Sequence, residues 1–214
     1  MKKIVFIIPS VTYFKDKPLS YSNIRSIFPP SQRAIQTKQT IKSIRNKVLT
    51  AKIIFIEMGL KNTEDNYGDI VDKYIYLGKN KVVRFFCDGK FKGAGEAIGL
   101  IVSRREIEKM DGDFYFKISG RYFLNENFNL NHWEPMTKFI FCKNKKSIST
   151  RLYGFPKKLF NVWISSLMKS LFLLIFNISI EIVMPIWIPI KNIKNIEKLG
   201  VSGTIAPTGD IIEE

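Results

Sequence analysis

Ile4-Val5-Phe6-Ile7-Ile8 is apolar at every position, and Ile53-Ile54-Phe55-Ile56 repeats that composition further along the chain. A strand with one wet face alternates apolar and polar residues. Runs that do not alternate belong to strands covered on both sides, as in a parallel sheet. Between the two runs Ala34, Ile35, Ile41, Ile44 and Val48 recur at helical spacing, while Arg33, Gln36, Lys38, Lys42 and Arg45 fill the remaining face. This predicts a helix starting near Ser31, with Ser31 as its N-cap. Strand, helix, strand argues a right-handed parallel crossover, and hence an α/β chain with a mostly parallel central sheet flanked by helices.

In such sheets ligands gather at the carboxyl ends of the strands. Pro9 and Ser10 end the first run, and a long loop follows through Tyr13, Tyr21 and Arg25 to Pro30; Glu57 ends the second run. Tyr74-Ile75-Tyr76-Leu77-Gly78 and Val82-Val83-Arg84-Phe85-Phe86 read as two short strands, and residues 60–72 as loop or short helix. The most informative stretch is Lys92 to Leu124. Ala94, Ala97, Ile98, Ile101 and Val102 share one helix face; Asp111-Gly112-Asp113 breaks the pattern; Phe114-Tyr115-Phe116-Lys117-Ile118 has strand composition and ends in Ser119-Gly120-Arg121-Tyr122. Glycine there gives freedom to turn, and its neighbours carry hydrogen-bond donors.

The chain has 214 residues, 45% of them hydrophobic, which suffices for one substantial domain. Lys and Arg number 34 against 19 Asp and Glu, a net charge of +15, so an anionic partner is expected: a nucleotide, an acidic glycan, nucleic acid or an anionic membrane face. Cys87, Cys142 and His132 fit no zinc spacing, and two reduced thiols suit the cytosol. The start, Met1-Lys2-Lys3 and then Ile4 to Ile8, imitates a signal peptide, but Pro9 cuts the apolar run too short.

Further on, Phe139-Ile140-Phe141 reads as a strand, Thr150 to Pro156 as a turn, and Lys158 to Phe176 as a helix. Leu171 to Ile190 is strongly apolar. Glu181, Pro185 and Pro189 interrupt it short of the roughly 20 residues that a membrane span needs, so a buried helix or a membrane-lying segment fits better. Leu199 to Asp210, with three glycines, reads as a loop able to close over an anion.

The chemical motifs are sparse. Gly93-Ala94-Gly95-Glu96 opens a helix, yet it lacks the third glycine of the dinucleotide fingerprint and the Gly-Lys-Thr of a P-loop. His132 has no Ser-His-Asp companions. Asp111 and Asp113 form an Asp-x-Asp, but they stand at the start of their strand, away from the ligand edge.

Lys92-x-Gly-x-Gly-Glu-Ala, Gly99 and then Gly112-Asp113-Phe114-Tyr115-Phe116-Lys117 resemble the donor-binding region of GT-A glycosyltransferases, nucleotide-sugar enzymes with a single Rossmann-like domain. Lys-Ile-Ser-Gly-Arg-Tyr (117–122), Ser-Thr-Arg-Leu-Tyr-Gly-Phe-Pro (149–156) and Gly-Val-Ser-Gly-Thr-Ile-Ala-Pro (200–207) are similar to segments of uncharacterised bacterial and viral surface-polysaccharide proteins. The resemblance implies one domain over 1–214, with a nucleotide-sugar half (1–125) and an acceptor half (126–214). Its donor site would include Lys92, Gly95, Glu96, Lys117, Ser119, Gly120 and Tyr122, with Pro9, Tyr13 and Glu57 lining the nucleoside pocket and Arg151 and Tyr153 on the acceptor side. Glu181 would be the general base. Where the family carries an Asp-x-Asp holding Mn²⁺ or Mg²⁺, this sequence has Ser119-Gly120-Arg121. Arg121, helped by Lys117 or Lys92, would then stabilise the leaving phosphate in place of a divalent cation, which is disfavoured as a cofactor. The implied product is a surface glycan or a glycosylated lipid-linked acceptor, made in the cytoplasm or at the inner face of the membrane. A basic membrane-peripheral protein, or a nucleic-acid-binding one, without catalysis is the alternative.

Overall fold

A computed structural model describes residues 2–144 and 147–214. The chain begins with β1 (Ile4–Ser10), crosses through α1 (Pro30–Lys47) to β2 (Lys52–Glu57), and continues through α2 (Glu64–Tyr67) to β3 (Lys73–Tyr76). Three helices follow, α3 (Lys81–Asp88), α4 (Lys92–Val102) and α5 (Arg104–Lys109), then β4 (Phe114–Ile118) and the short β5 (Tyr122–Leu124). The second half contains β6 (Phe139–Asn144), β7 (Ser147–Ile148), β8 (Leu152–Pro156), α6 (Phe160–Leu174), α7 (Ile180–Val183), β9 (Ile193–Ile196), β10 (Val201–Thr204) and β11 (Ile211–Glu213).

The central sheet runs β3-β2-β1-β4-β8-β6, with β7 and β9 also on β6. β1 is parallel to both β2 and β4, β2 to β3, and β6 to β9; β8 runs antiparallel to β4 and β6. The fold is thus the expected α/β class with a mostly parallel, Rossmann-like sheet. The alternation of side chains along each strand divides the core in two. Val5, Ile7, Tyr115 and Phe155 face Ala94, Ala97 and Leu100 of α4 and Trp163 and Leu167 of α6. Ile4, Phe6, Ile8 and Phe116 face Ile41 and Ile44 of α1, together with Trp133.

Several local expectations are corrected. Val82–Phe86 is not a strand but lies within α3, because the Asn80 side chain accepts from the backbone N–H groups of Val82 and Val83 and caps a helix start. Ser31 is not the cap of α1; the helix starts at Pro30, whose missing N–H and fixed φ suit the first turn. Thr150–Pro156 is no simple turn, since Leu152–Pro156 forms β8 in mid-sheet. Gly154 permits that: a Cβ there would stand 2.4 Å from Phe114 Cε1. The glycine-bearing tail is not only loop, as β10 pairs with β5 on one side and β11 on the other in a separate antiparallel sheet. Gly120 does not use the left-handed region, so the turn after β4 does not depend on glycine φ. Leu171–Ile190 is divided between the end of α6, α7 and a 3-10 turn, and among the described residues no helix is long and apolar enough to cross a membrane.

Candidate functional site

β1 leads to β2 on one side, while β4 lies on its other side, so the strand order reverses at β1. In open α/β sheets a crevice forms at such a point, outside the carboxyl ends of the strands. A cleft of about 680 Å³ lies there, lined by Lys92, Glu96, Ser119, Arg121, Tyr122, Arg151 and Glu181, among others. A recess of about 70 Å³ shares Lys92, Glu96, Ser119 and Arg121 with it and is walled by Pro9, Arg33, Gly95 and Gly120. The helix α4 starts at this cleft without a side-chain cap, so its first N–H groups and positive dipole end add to the cationic side chains.

Lys117 is fully buried, and its ammonium is spent. It meets Glu96 Oε1 at 2.5 Å and donates to Ser119 Oγ at 2.9 Å and to the Thr150 carbonyl at 2.8 Å. An ammonium has three donors, so none is left for a ligand.

Arg121 is the opposite case. Among the described residues its guanidinium has no carboxylate partner, and its buried Nε lacks a hydrogen-bond acceptor. Its Cζ lies 5.8 Å from the centroid of the Tyr122 ring, and Arg151 Cζ lies 5.5 Å from the same ring. Arg151 differs from Arg121 in being paired, with Glu214. The uncompensated charge is felt nearby. The Lys92 ammonium is held well below its usual value, first by Arg121 and then by burial, with Glu96 opposing.

Arg33 also enters this region. It is 7% exposed, donates to the Val11 carbonyl at 2.6 Å and packs over Phe14, and its Nε has no partner among the described residues. Burial, followed by the charge of Arg121, pulls it down to about 9. Its placement on the polar stripe of α1 hid it in the sequence. The available signal was a cation in the first turn of a helix, where the dipole favours anions and no acidic residue is present.

The other residues singled out in the sequence divide between wall, core and loop. Pro9, Gly95, Ser119, Gly120 and Tyr122 line the cleft or its recess. Glu181 lines the cleft and accepts from Thr150 Oγ1 at 2.8 Å. Glu57 lines neither the cleft nor the recess; it is fully buried and accepts from Thr12 N at 3.0 Å, Thr12 Oγ1 at 2.6 Å and Gly59 N at 2.6 Å. That network ties the loops after β1 and β2 together, and burial raises the carboxyl of Glu57 despite these donors. Tyr13 belongs to the same loop pair, its carbonyl accepting from Leu60 N and its ring lying under Lys61. Tyr153 is a core residue whose hydroxyl accepts from Trp163 Nε1 at 2.9 Å.

The donor set of the cleft does not fit a divalent cation. Glu96 is tied to Lys117 and Glu214 to Arg151, while Arg121, Lys92 and Arg33 would repel a dication. Asp111 and Asp113 lie at the other end of β4. Asp111 bridges Lys3 at 3.1 Å and Lys157 at 2.6 Å, which hold its carboxyl at about 2, and Asp113 accepts from Lys3 N at 2.8 Å. Among the described residues no group of three or more His, Cys, Asp or Glu side chains stands together as a metal site.

No family model and no curated protein matches the chain. Among solved structures it is similar to a glycosyltransferase involved in the glycosylation of the major capsid of PBCV-1, at 9% identity and a TM-score of 0.44, over 78% of this chain and 67% of that one. It is also similar to the mannosyltransferase PcManGT from Pyrobaculum calidifontis in complex with GDP-Man and Mn²⁺, at 9% identity and a TM-score of 0.47, over 75% of this chain. The chain spans 46% of the length of that mannosyltransferase. At this level of likeness, what the cleft does rests on its own geometry.

Proposed function

We propose that the chain is a glycosyltransferase that holds the diphosphate of a nucleotide sugar in the cleft at the β1–β4 crevice, with Arg121 as the fixed cation facing the leaving group. The observation that carries this reading is the guanidinium of Arg121, half-buried at the carboxyl end of a central strand and lacking an anionic partner among the described residues. Charge of that kind, preorganised where a phosphate can approach, stabilises negative charge as it develops and offers bidentate donors. Lys92, Arg33 and the open N-terminus of α4 reinforce the same potential.

In the transfer step an acceptor hydroxyl attacks the anomeric carbon of the donor. The bond from that carbon to the phosphate oxygen breaks, and the nucleoside diphosphate leaves with the electron pair beside Arg121. The acceptor's proton passes to a base, for which Glu181 on the cleft wall is the candidate. Glu96 is unsuited to that task, because Lys117 engages its carboxylate. The acceptor is a surface glycan or a lipid-linked sugar. Both thiols, Cys87 and Cys142, are free, in keeping with a reducing cytoplasm.

Thermal-shift screening against UDP-, GDP-, CMP- and dTDP-sugars, in EDTA and then with Mn²⁺, tests the reading, since a ligand bound to the folded state raises its stability. A shift with one of the nucleoside diphosphate sugars in EDTA is the expected result, and a shift with the CMP-sugar alone, which carries a single phosphate, contradicts it. No shift with any of them removes it.

A further inference from the structure

The apolar stretch after the middle of α6 is only partly absorbed by the core. Phe172 is 65% exposed, Phe176 63%, Ile186 61%, Ile182 44%, Ile175 41% and Trp187 38%. Phe172 and Phe176 meet edge to face with centroids 5.1 Å apart, forming an aromatic knuckle on the surface. An apolar group of this extent, left in water, marks a contact surface.

Its surroundings specify the partner. Ile175 also lines a groove with the 75% exposed Phe85, and that groove carries Lys15, Lys17, Lys81, Arg84 and Lys90 against a single carboxylate, Asp88. Asp88 is itself engaged by Arg84 and by Lys15, so it does not offset the remaining lysines. On the other flank Lys169 Nζ lies 5.4 Å from the Trp187 ring centroid, an ammonium beside an indole at the edge of an apolar face. Apolar rings rimmed by lysines match the two layers of an anionic membrane surface, acyl chains beneath and negative headgroups above. Ile182 also lines the large cleft, so the face reaches the mouth of the site.

We infer that the face carrying Phe172, Ile175, Phe176, Ile182, Ile186 and Trp187 docks on an anionic lipid bilayer and brings the cleft mouth to the headgroup layer. A glycan acceptor attached to a lipid would then be presented at the Glu181 side of the cleft. The choice of acceptor rests on the sugar-transfer reading; the bilayer contact does not.

Flotation of the purified chain with vesicles of phosphatidylcholine alone, and of phosphatidylcholine mixed with phosphatidylglycerol, tests the contact without donor or acceptor. The parent floats with the anionic vesicles and detaches in part at high salt. Phe172→Ser with Phe176→Ser lowers its affinity by about tenfold or more, the loss expected when two rings no longer insert. Ile35→Ser, on an exposed position of α1, leaves flotation unchanged. Should the double variant melt early, Ile186→Ser with Trp187→Ser provides the same comparison from the other side of the face. Absence of flotation on anionic vesicles overturns the inference, as does equal flotation of parent and variants. A parent dimer that the variants convert to monomer also overturns it, because a second copy then covers the face. Since nucleotide-sugar binding is measured without vesicles, failure of one proposal leaves the other standing.

Discussion

Lys117 Nζ lies 2.5 Å from Glu96 Oε1, so the buried cation of β4 is neutralised by α4. The next cation along the chain, Arg121, has no such carboxylate among the described residues. This difference separates scaffold from site: one charge fixes the helix against the strand, and the other faces the cleft.

Replacing Lys117 by Met therefore acts on stability first. It leaves Glu96 without its partner in a half-buried position and should cost about 3 kcal/mol in urea unfolding, the low end for breaking a buried pair. Adding Glu96→Gln should recover part of that loss, giving a non-additive double-mutant cycle. Additive losses would show that the pair does not couple.

Lys92→Met should have the opposite sign. Because the Lys92 ammonium is depressed in the folded chain, its contribution to stability is complete only above its ordinary value near 10.5 and is lost as pH falls through the folded value. At neutral pH this lysine is thus a burden, and Met should raise stability by about 1 kcal/mol, with weaker nucleotide binding as the counterpart. Urea midpoints at neutral pH check the first part.

Glu57→Gln should remove a pH dependence while leaving the fold intact. The carboxyl of Glu57 is raised by burial, so its contribution to stability is fully present below its ordinary value of 4.5 and is lost as pH rises through the folded value. An amide can keep its oxygen toward the N–H groups of Thr12 and Gly59 and turn its nitrogen toward the Thr12 and Thr63 hydroxyls, which can accept. Unfolding free energy measured from acid to neutral pH should fall less steeply with rising pH in Glu57→Gln than in the parent.

Gly154→Ala should destabilise by about 1–3 kcal/mol, since the added methyl meets Phe114 at 2.4 Å between two paired strands. Thermal melting of the variant, with circular dichroism to confirm the fold, measures it.

The parts of the fold written into single segments were legible in the sequence. Ile4–Ile8 and Ile53–Ile56 lack alternation because α-helices cover both faces, and Phe114–Ile118 emerged with the bounds of β4. What failed depended on partners distant in sequence. Gly154 and Pro156 suggest a turn until Phe114 is placed against them, and Val82–Phe86 suggests a strand until Asn80 is seen to cap it. At the cleft, Arg121 and Ser119 could be singled out because they end a strand. Arg33 could not, since only the packing of α1 against the loop after β1 buries it. Glu57 was singled out because it ends a strand and Lys117 through the glycosyltransferase resemblance, and the structure gives each a full set of internal partners.

The central claim is that Arg121 holds the donor's diphosphate. Calorimetric titration of the best-binding nucleotide sugar into the parent and into Arg121→Ala, both in EDTA, tests it most directly. The account predicts binding by the parent without added metal and a loss of about tenfold or more in Arg121→Ala, the weight of a charge-assisted hydrogen bond, with a melting temperature in the absence of ligand that is no lower than the parent's, since the charge that depresses Lys92 and Arg33 is gone. Equal affinity of the two proteins, or parent binding that appears only when Mn²⁺ is added, would contradict it.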